Sequence, residues 1–499
     1  MDNVTVRVED LMRESGVRFG TSGVRGLEND MTDMVCYTFT AAFIQHLEEK
    51  GELEQGEIIA VSGDLRPSTG RITGAVTRAV EDRGYIAEYC GTIPSPALAY
   101  YGISEKVPTV MVTGSHIPED RNGIKYTRKG GEILKDDEAG IKKQRVVLPP
   151  DLFNEKGDIL MEIRLPELTS EAADMYLARY LKFFPQDCLR GKRVGVYQHS
   201  AVGRDLIVSI LTGLGADVTP LGRSDKFVPV DTEAIRPEDV ESARKWADMY
   251  DFNSIVSTDG DSDRPLISDE NGRWLRGDVA GILCAAYLRA DTVVTPVSCN
   301  TAVEKCGLFK NVIRTKIGSP FVIEGMHKAL ETGDEIVVGY EANGGFLLAS
   351  DIMLEGEIIK ALPTRDAVIL LIAILLLSRE KKISELLLDL PQRYTASNRL
   401  RDFPAERSRE KIAELFSGES GEDNKALESN FGQHFGPVAS VDTTDGLRVT
   451  FKTGEVLHLR PSGNAPEFRC YNEADSELRA IEMNMVCLKI METWRSDKG

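Results

Sequence analysis

The sequence predicts an α/β protein of four parts: three related α/β domains followed by a smaller α+β domain. Three observations carry this. A chain of 499 residues is too long for one core and suggests roughly three or four domains. A strand–helix–strand pattern recurs three times at roughly 100-residue spacing, as a repeated α/β unit would. The residues after Arg393 follow neither that pattern nor its spacing. The divisions this suggests are 1–160, 161–275, 276–393 and 394–499.

The first repeat reads as a strand over 57–62, a Gly63-Asp-Leu-Arg-Pro-Ser68 turn, a helix from Thr69 to Asp82 and a strand over 85–89. This is one βαβ unit. The second has a strand over 193–197, a helix over 203–214 and a strand over 217–221. The third has strands over 292–297 and 311–314, a helix from Ser319 to Leu330 and a strand over 335–339. Ala367 to Leu377 is the most apolar run, 11 residues. A membrane span needs about 20, so this reads as a core helix, with Asp366 at its start and Arg379 beyond its end. Residues 415–433 are polar and Gly/Ser-rich and read as a mobile loop. Strands over 446–451 and 456–460 flank a Lys452-Thr-Gly-Glu455 turn, a hairpin. A strand over 468–472 and a helix over 477–494 close the chain.

Composition is that of a soluble globular protein, 42% apolar and 28% charged. The net charge is −19, from 79 acidic and 60 basic residues. That argues against a general nucleic-acid or anionic-membrane binder. Eight cysteines without a CxxC pair suggest a reducing compartment and no zinc site. The start at Met1 lacks the basic and apolar character of a signal peptide. A cytoplasmic protein is expected.

Five loops carry candidate chemistry. Phe19-Gly-Thr-Ser-Gly-Val-Arg-Gly26 holds three glycines, two hydroxyls and one charge, Arg25. It can offer amide and guanidinium donors to a phosphate, or be a plain turn. The apolar strand Val110-Met-Val112 runs into Thr113-Gly-Ser-His-Ile-Pro-Glu-Asp-Arg-Asn-Gly-Ile-Lys-Tyr126. Here Ser115 is a nucleophile candidate, with His116 beside it and Lys125 beyond the turn. Ser257-Thr-Asp-Gly-Asp-Ser-Asp-Arg-Pro265 lies between two strands. It places Asp259, Asp261 and Asp263 at alternate positions. Their repulsion would be removed by a hard divalent cation such as Mg²⁺ or Ca²⁺, and Arg264 adds a cation for a phosphate. An EF-hand is the rival, since Glu270 falls at its twelfth position. But Arg264 stands where that loop needs Gly, and the flanks are strands. A solvated acidic turn is the other alternative. Gly339-Tyr-Glu-Ala-Asn-Gly-Gly345 offers Glu341 and Asn343 to paired sugar hydroxyls. Arg460-Pro-Ser-Gly-Asn-Ala-Pro466 offers Arg460, Ser462, the Gly463 amide and Asn464 to an anion. Either of these two loops could equally be a turn.

Taken together and in this order, the loops resemble those of the α-D-phosphohexomutase superfamily, which includes phosphoglucomutase and phosphomannomutase. The resemblance runs from Phe19 to Tyr471. It implies four domains around a central cleft, the last with a TATA-binding-protein-like fold. It implies Ser115 as the phosphoserine, and Asp259, Asp261, Asp263 and a phosphoserine oxygen as ligands of Mg²⁺. Glu341 and Asn343 match the sugar-recognition loop. Arg460, Ser462, Gly463 and Asn464 match the loop that grips the non-reacting phosphate. Arg25, His116, Lys125 and Arg264 match residues tied to charge stabilisation and proton transfer, with Lys125 the candidate general base. The implied reaction interconverts hexose 1-phosphate and hexose 6-phosphate through a hexose 1,6-bisphosphate, which also serves as activator. Phosphomannomutase is the first expectation, with phosphoglucomutase and phospho(acetyl)glucosamine mutase as alternatives. A non-catalytic sugar-phosphate binder is the alternative of another class. The partners expected are small hexose phosphates, with no nucleic acid and no membrane, for a monomer or homodimer.

Overall fold

The computed structural model describes residues 4–20, 23–418, 423–462 and 466–496. Strands β1 (Arg18–Phe19), β2 (Val24–Leu27), β3 (Ile58–Gly63), β4 (Ile86–Tyr89), β5 (Thr109–Val112), β6 (Arg121–Arg128) and β7 (Gly131–Glu132) form the first sheet. Its order is β1-β2-β6-β5-β3-β4, with β7 paired to β6. The second sheet holds β8 (Arg193–His199), β9 (Asp217–Arg223), β10 (Ser254–Thr258) and β11 (Pro265–Ile267), in the order β9-β8-β10-β11. The third holds β12 (Thr292–Pro296), β13 (Asn311–Thr315), β14 (Val337–Tyr340) and β15 (Phe346–Leu348), in the order β13-β12-β14-β15.

One topology is thus written three times. In each sheet three parallel strands are followed by a fourth that returns antiparallel: β5 to β6, β10 to β11 and β14 to β15. The central parallel strands are buried along almost their whole length (Val194, Val256, Val293, Val338), as strands covered on both faces must be. The turn between the third and fourth strand is the same structural position in each repeat. It carries Ser115 in the first sheet, Asp259 to Asp263 in the second and Glu341 with Asn343 in the third.

The repeats are packed together by helices. Helix α1 (Glu171–Phe183) buries Tyr176 and Tyr180. Helix α2 (Ala367–Leu377) is apolar on every side and all but its last residue is buried, so it lies inside the protein. Its N-cap is Asp366, which accepts from the Val368 amide at 3.1 Å. Leu168 and Thr169 still lie along the first sheet, where the Thr169 amide donates to the Tyr89 carbonyl at 3.0 Å. Among the described residues no helix is long and apolar enough to cross a membrane.

The last sheet is antiparallel: β16 (Tyr394–Arg401), β17 (Val438–Asp442), β18 (Leu447–Phe451), β19 (Val456–Pro461) and β20 (Glu467–Ala474), in the order β16-β20-β19-β18-β17. The long helix α3 (Glu477–Ser496) buries Ala480, Met483, Cys487, Met491 and Trp494 in this domain's own core. The mobile loop expected over 415–433 is corrected here. Among its described residues, Asp423–Leu427 and Glu428–Gly432 are helical, and Gln433–Phe435 continue the run. Leu427, Phe431 and Phe435 are spaced by one helical turn and all three are buried. That spacing outweighs the polar composition around them.

Candidate active site

The three repeat turns meet. Ser115 is fully buried and sits at φ 58°, a left-handed conformation that costs a non-glycine residue about 1–3 kcal/mol. Its surroundings hold it there. The Ser115 amide donates to Thr113 Oγ1 at 2.8 Å, and the hydroxyl donates to Asp259 Oδ2 at 2.6 Å. The second repeat's turn approaches so closely that a Cβ at Gly260 would stand 2.7 Å from the Ser115 carbonyl oxygen. Only glycine allows that approach.

Asp259, Asp261 and Asp263 are all buried, and one carboxylate oxygen from each falls within 4.8 Å of the others. Lys125 Nζ donates to Asp261 Oδ2 at 2.5 Å and to Asp263 Oδ2 at 2.7 Å. Ser95 Oγ donates to Asp261 Oδ2 at 2.6 Å. Asp261 Oδ1 and Asp263 Oδ1 are buried with no hydrogen-bond partner. Orphaned acceptors of this kind are costly unless a cation takes them. The oxygen-only donor set fits a hard divalent ion.

Cations crowd the same place. Arg264 Nη1 lies 2.7 Å from His116 Nδ1; the guanidinium can only donate, so that ring nitrogen accepts. His116 Nδ1 is 3.3 Å from Ser115 Oγ. Burial, then Arg264 and Arg25, push the His116 imidazole far below its ordinary value, so it is neutral. Burial, then Arg264 and Arg365, lower Arg25 to about 10. Burial works against the Lys125 ammonium, but Asp261 and Asp263 outweigh it and hold this group above its usual value. Burial would raise Asp263, yet Arg365, Lys125 and Arg264 hold it well below the carboxylate range. The site therefore interleaves Arg25, Lys125, Arg264 and Arg365 with four carboxylates, the fourth being Glu341.

The sequence reading missed two of the arginines that organise this site. Arg66 lies buried beneath the serine turn. Its Nη1 donates to the Pro118 and Arg121 carbonyls at 2.7 and 2.9 Å, and its Nη2 to those of Ser115 and Ile117 at 2.9 and 2.6 Å. Asp64 balances its charge at 3.2 Å. Arg365 is 2% exposed and joins Asp263 to Glu341. The Asp-Leu-Arg of the Gly63–Ser68 turn was visible as a signal for Arg66; Arg365 stands in no motif.

Asn343 is buried, and its Oδ1 accepts from the Gly345 amide at 2.9 Å. Arg460 lies at the end of β19, where its Nε donates to Asp445 Oδ2 at 2.8 Å. Among the described residues no hydrogen bond or ion pair joins Arg460 to the acidic cluster. The Ser462 amide donates to the Glu467 carbonyl at 2.9 Å. Gly463 and Asn464 lie outside the described residues.

Residues 16–145 match "Phosphoglucomutase/phosphomannomutase, alpha/beta/alpha domain I" and residues 276–394 match domain III of the same family. A phosphomannomutase of Salmonella muenchen is 45% identical over 470 residues, 94% of each chain. The chain belongs to the phosphoglucomutase/phosphomannomutase family. A phosphomannomutase of Sinorhizobium fredii is 41% identical over 463 residues, 92% of this chain and 95% of that one. The fold has the same relatives: a phosphoglucomutase/phosphomannomutase family protein from Burkholderia thailandensis superposes with a TM-score of 0.71 at 19% identity, covering 96% and 98% of the two chains. An Aspergillus fumigatus N-acetylphosphoglucosamine mutase in complex with GlcNAc-6P and magnesium gives 0.57 at 13% identity, covering 98% and 99%. As a member of this family the chain is an enzyme, a phosphohexomutase of the isomerase class, and its acidic triad is suited to a metal ion.

Proposed function

We propose that this enzyme is a phosphomannomutase that carries the migrating phosphoryl group on Ser115. The observation that carries the proposal is the meeting of a strained, buried serine with three carboxylates and four cations in one place. Phosphoryl transfer asks a protein for positioning and charge stabilisation more than for covalent chemistry. Asp259, Asp261, Asp263 and Ser115 are the residues that would hold Mg²⁺, and the ion when bound would offset charge on the phosphoryl oxygens. The mannose preference rests on the two relatives at 45% and 41% identity.

The chain's own residues divide the work. Arg25 and Arg264 repel each other through buried space, and an anionic phosphoryl group relieves that repulsion. His116 is neutral and takes a hydrogen bond from Arg264, so it orients that guanidinium instead of adding charge. Lys125 can accept a proton from a sugar hydroxyl only when Asp261 and Asp263 are engaged elsewhere; while paired with them it is an ammonium that stabilises charge. Glu341 and Asn343 receive sugar hydroxyls. Arg460, Ser462, Gly463 and Asn464 grip the phosphate that is not reacting. The sugar passes through a hexose 1,6-bisphosphate and must present either end to Ser115, so the fourth domain closes on it about a hinge. The pairing of β16 from Tyr394 onward supports a hinge in the residues just before it. Eight unpaired cysteines support a reducing, cytoplasmic setting.

The test is a ³¹P NMR time course with Mg²⁺ and trace glucose 1,6-bisphosphate, with mannose, glucose, glucosamine and N-acetylglucosamine 1-phosphates in parallel. Preferential conversion of mannose 1-phosphate is expected, with turnover lost in Ser115→Ala while ligand affinity remains. Turnover retained by Ser115→Ala would end the carrier assignment. Preference for another sugar would end the mannose assignment alone.

A further inference from the structure

Thr364, Arg365 and Asp366 are three consecutive buried residues, and each reaches into a different neighbourhood. Thr364 Oγ1 donates to Glu132 Oε1 at 2.5 Å, on the edge of the first sheet. Asp366 accepts from Tyr176 Oη at 2.6 Å and from Tyr180 Oη, both on α1, while capping α2. The backbone of Arg365 is therefore pinned from both sides. Its side chain runs to the turns of the second and third sheets. Nε and Nη2 both lie 3.0 Å from Asp263 Oδ2, and Nη1 donates to Glu341 Oε2 at 3.1 Å.

The stem of this side chain passes through a gap that exists because residue 345 is glycine. A Cβ at Gly345 would stand 2.4 Å from Arg365 Cδ and 2.6 Å from its Cγ. These are methylenes in the middle of a chain held at both ends, so they cannot swing aside as a free tip could. A planar guanidinium can serve two carboxylates at once, whereas an ammonium is a point charge. Removing it would leave Asp263 and Glu341 as buried anions without their shared partner.

We propose that Arg365 is a positioning residue for sugar recognition, and that Gly345 is the position that admits it. Arg365 holds Glu341 by one oxygen and turns the other edge of the carboxylate to the substrate. By binding Asp263 at its other end, it sets the distance between the sugar turn and the phosphoryl-carrying centre. The inference rests on the reading of Glu341 as a sugar ligand given above.

The test is a double-mutant cycle on the full-length enzyme with Mg²⁺, measuring kcat and KM for mannose 1-phosphate and Tm by circular dichroism. Gly345→Ala is expected to lower kcat/KM about tenfold, mainly through KM, because the methyl evicts the Arg365 stem. In an Arg365→Ala background the same methyl is expected to cost less than about twofold. Arg365→Lys is expected to hold Tm near the wild-type value without recovering KM, since it can pair with only one carboxylate at a time. Losses that simply multiply in the double variant, or KM changes that vanish in every variant of wild-type Tm, would overturn the proposal. If Arg365→Ala does not fold, Gly345→Ala and Arg365→Lys decide: a raised KM at unchanged Tm in both supports it, and an unchanged KM in either overturns it. Glu341→Gln separates the two levels. A raised KM there with multiplicative losses in the cycle removes only the Arg365 inference, while an unchanged KM removes the sugar-ligand reading and this inference with it.

Discussion

Ser115 Oγ donates to Asp259 Oδ2 at 2.6 Å, so the serine turn of the first repeat and the acidic turn of the second are joined directly through their side chains. The two turns occupy equivalent places in two copies of one topology. Their meeting makes the serine and the acidic triad a single unit, with consequences for chelation and mutation.

Stripping divalent ions with EDTA should abolish mutase turnover, and added Mg²⁺ should restore it. Asp259→Asn should lower kcat by about 10²-fold or more by weakening charge stabilisation at the carrier. Coupled assays of turnover against free Mg²⁺ check both. Full activity in EDTA would remove the metal from the reaction.

Arg66 fixes four carbonyls of the serine turn from below. Arg66→Met keeps most of the stem's bulk and removes those donors, leaving Asp64 buried and unpaired. We expect a loss of about 3–5 kcal/mol in stability and a fall of about 10²-fold in kcat as the serine relaxes from its strained geometry. Urea denaturation and steady-state kinetics measure the two effects. A variant that loses stability but keeps kcat would show that Arg66 supports the fold without positioning Ser115.

Arg393 precedes the first strand of the last sheet, and its side chain is 2% exposed. It donates to Glu473 Oε1 and the Gly454 carbonyl, both at 2.6 Å, and pairs with Asp475. Asn300 of the third domain donates to the Arg393 carbonyl at 2.8 Å, and the Thr301 amide to Glu473 Oε2 at 3.0 Å. Arg393→Ala should cost about 3 kcal/mol by stranding Glu473 and should raise proteolytic cleavage around residues 389–393. Cleavage at the wild-type rate would place the hinge elsewhere.

Asp137 supplies a pH dependence of stability. Burial works to raise its pKa, but the Leu134 amide, His46, Lys50 and Arg128 outweigh it and hold the carboxyl below its usual value. The unfolded chain, with a value of about 3.9, then binds more protons than the folded one as pH falls. The stabilisation is complete well above that value and is lost as pH drops from it through the lower folded value. Asp137→Asn should therefore lower Tm at pH 7, and the gap to wild type should narrow below about pH 4. Thermal melts at the two pH values decide it; a gap of constant size would exclude the charge as its source.

What the sequence by itself determined is what neighbouring residues encode. The helix Thr69–Asp82 and the buried helix Ala367–Leu377 were legible to the residue, because periodicity and apolar runs are local properties. The serine turn and the acidic turn were legible because their groups are packed into a few consecutive positions. The helical run after residue 422 was obscured because its three buried residues are diluted by polar ones. Only the tertiary structure decided which isolated charges belong to the site. Arg365 looks like any surface arginine in the sequence and Arg66 shows only Asp64 close by; the carbonyls that Arg66 holds lie 49 to 55 residues away, and the carboxylates that Arg365 joins 24 and 102. An arginine's role depends on whether folding desolvates it beside carbonyls or carboxylates, and that is set by the packing of three domains, not by its neighbours in the chain.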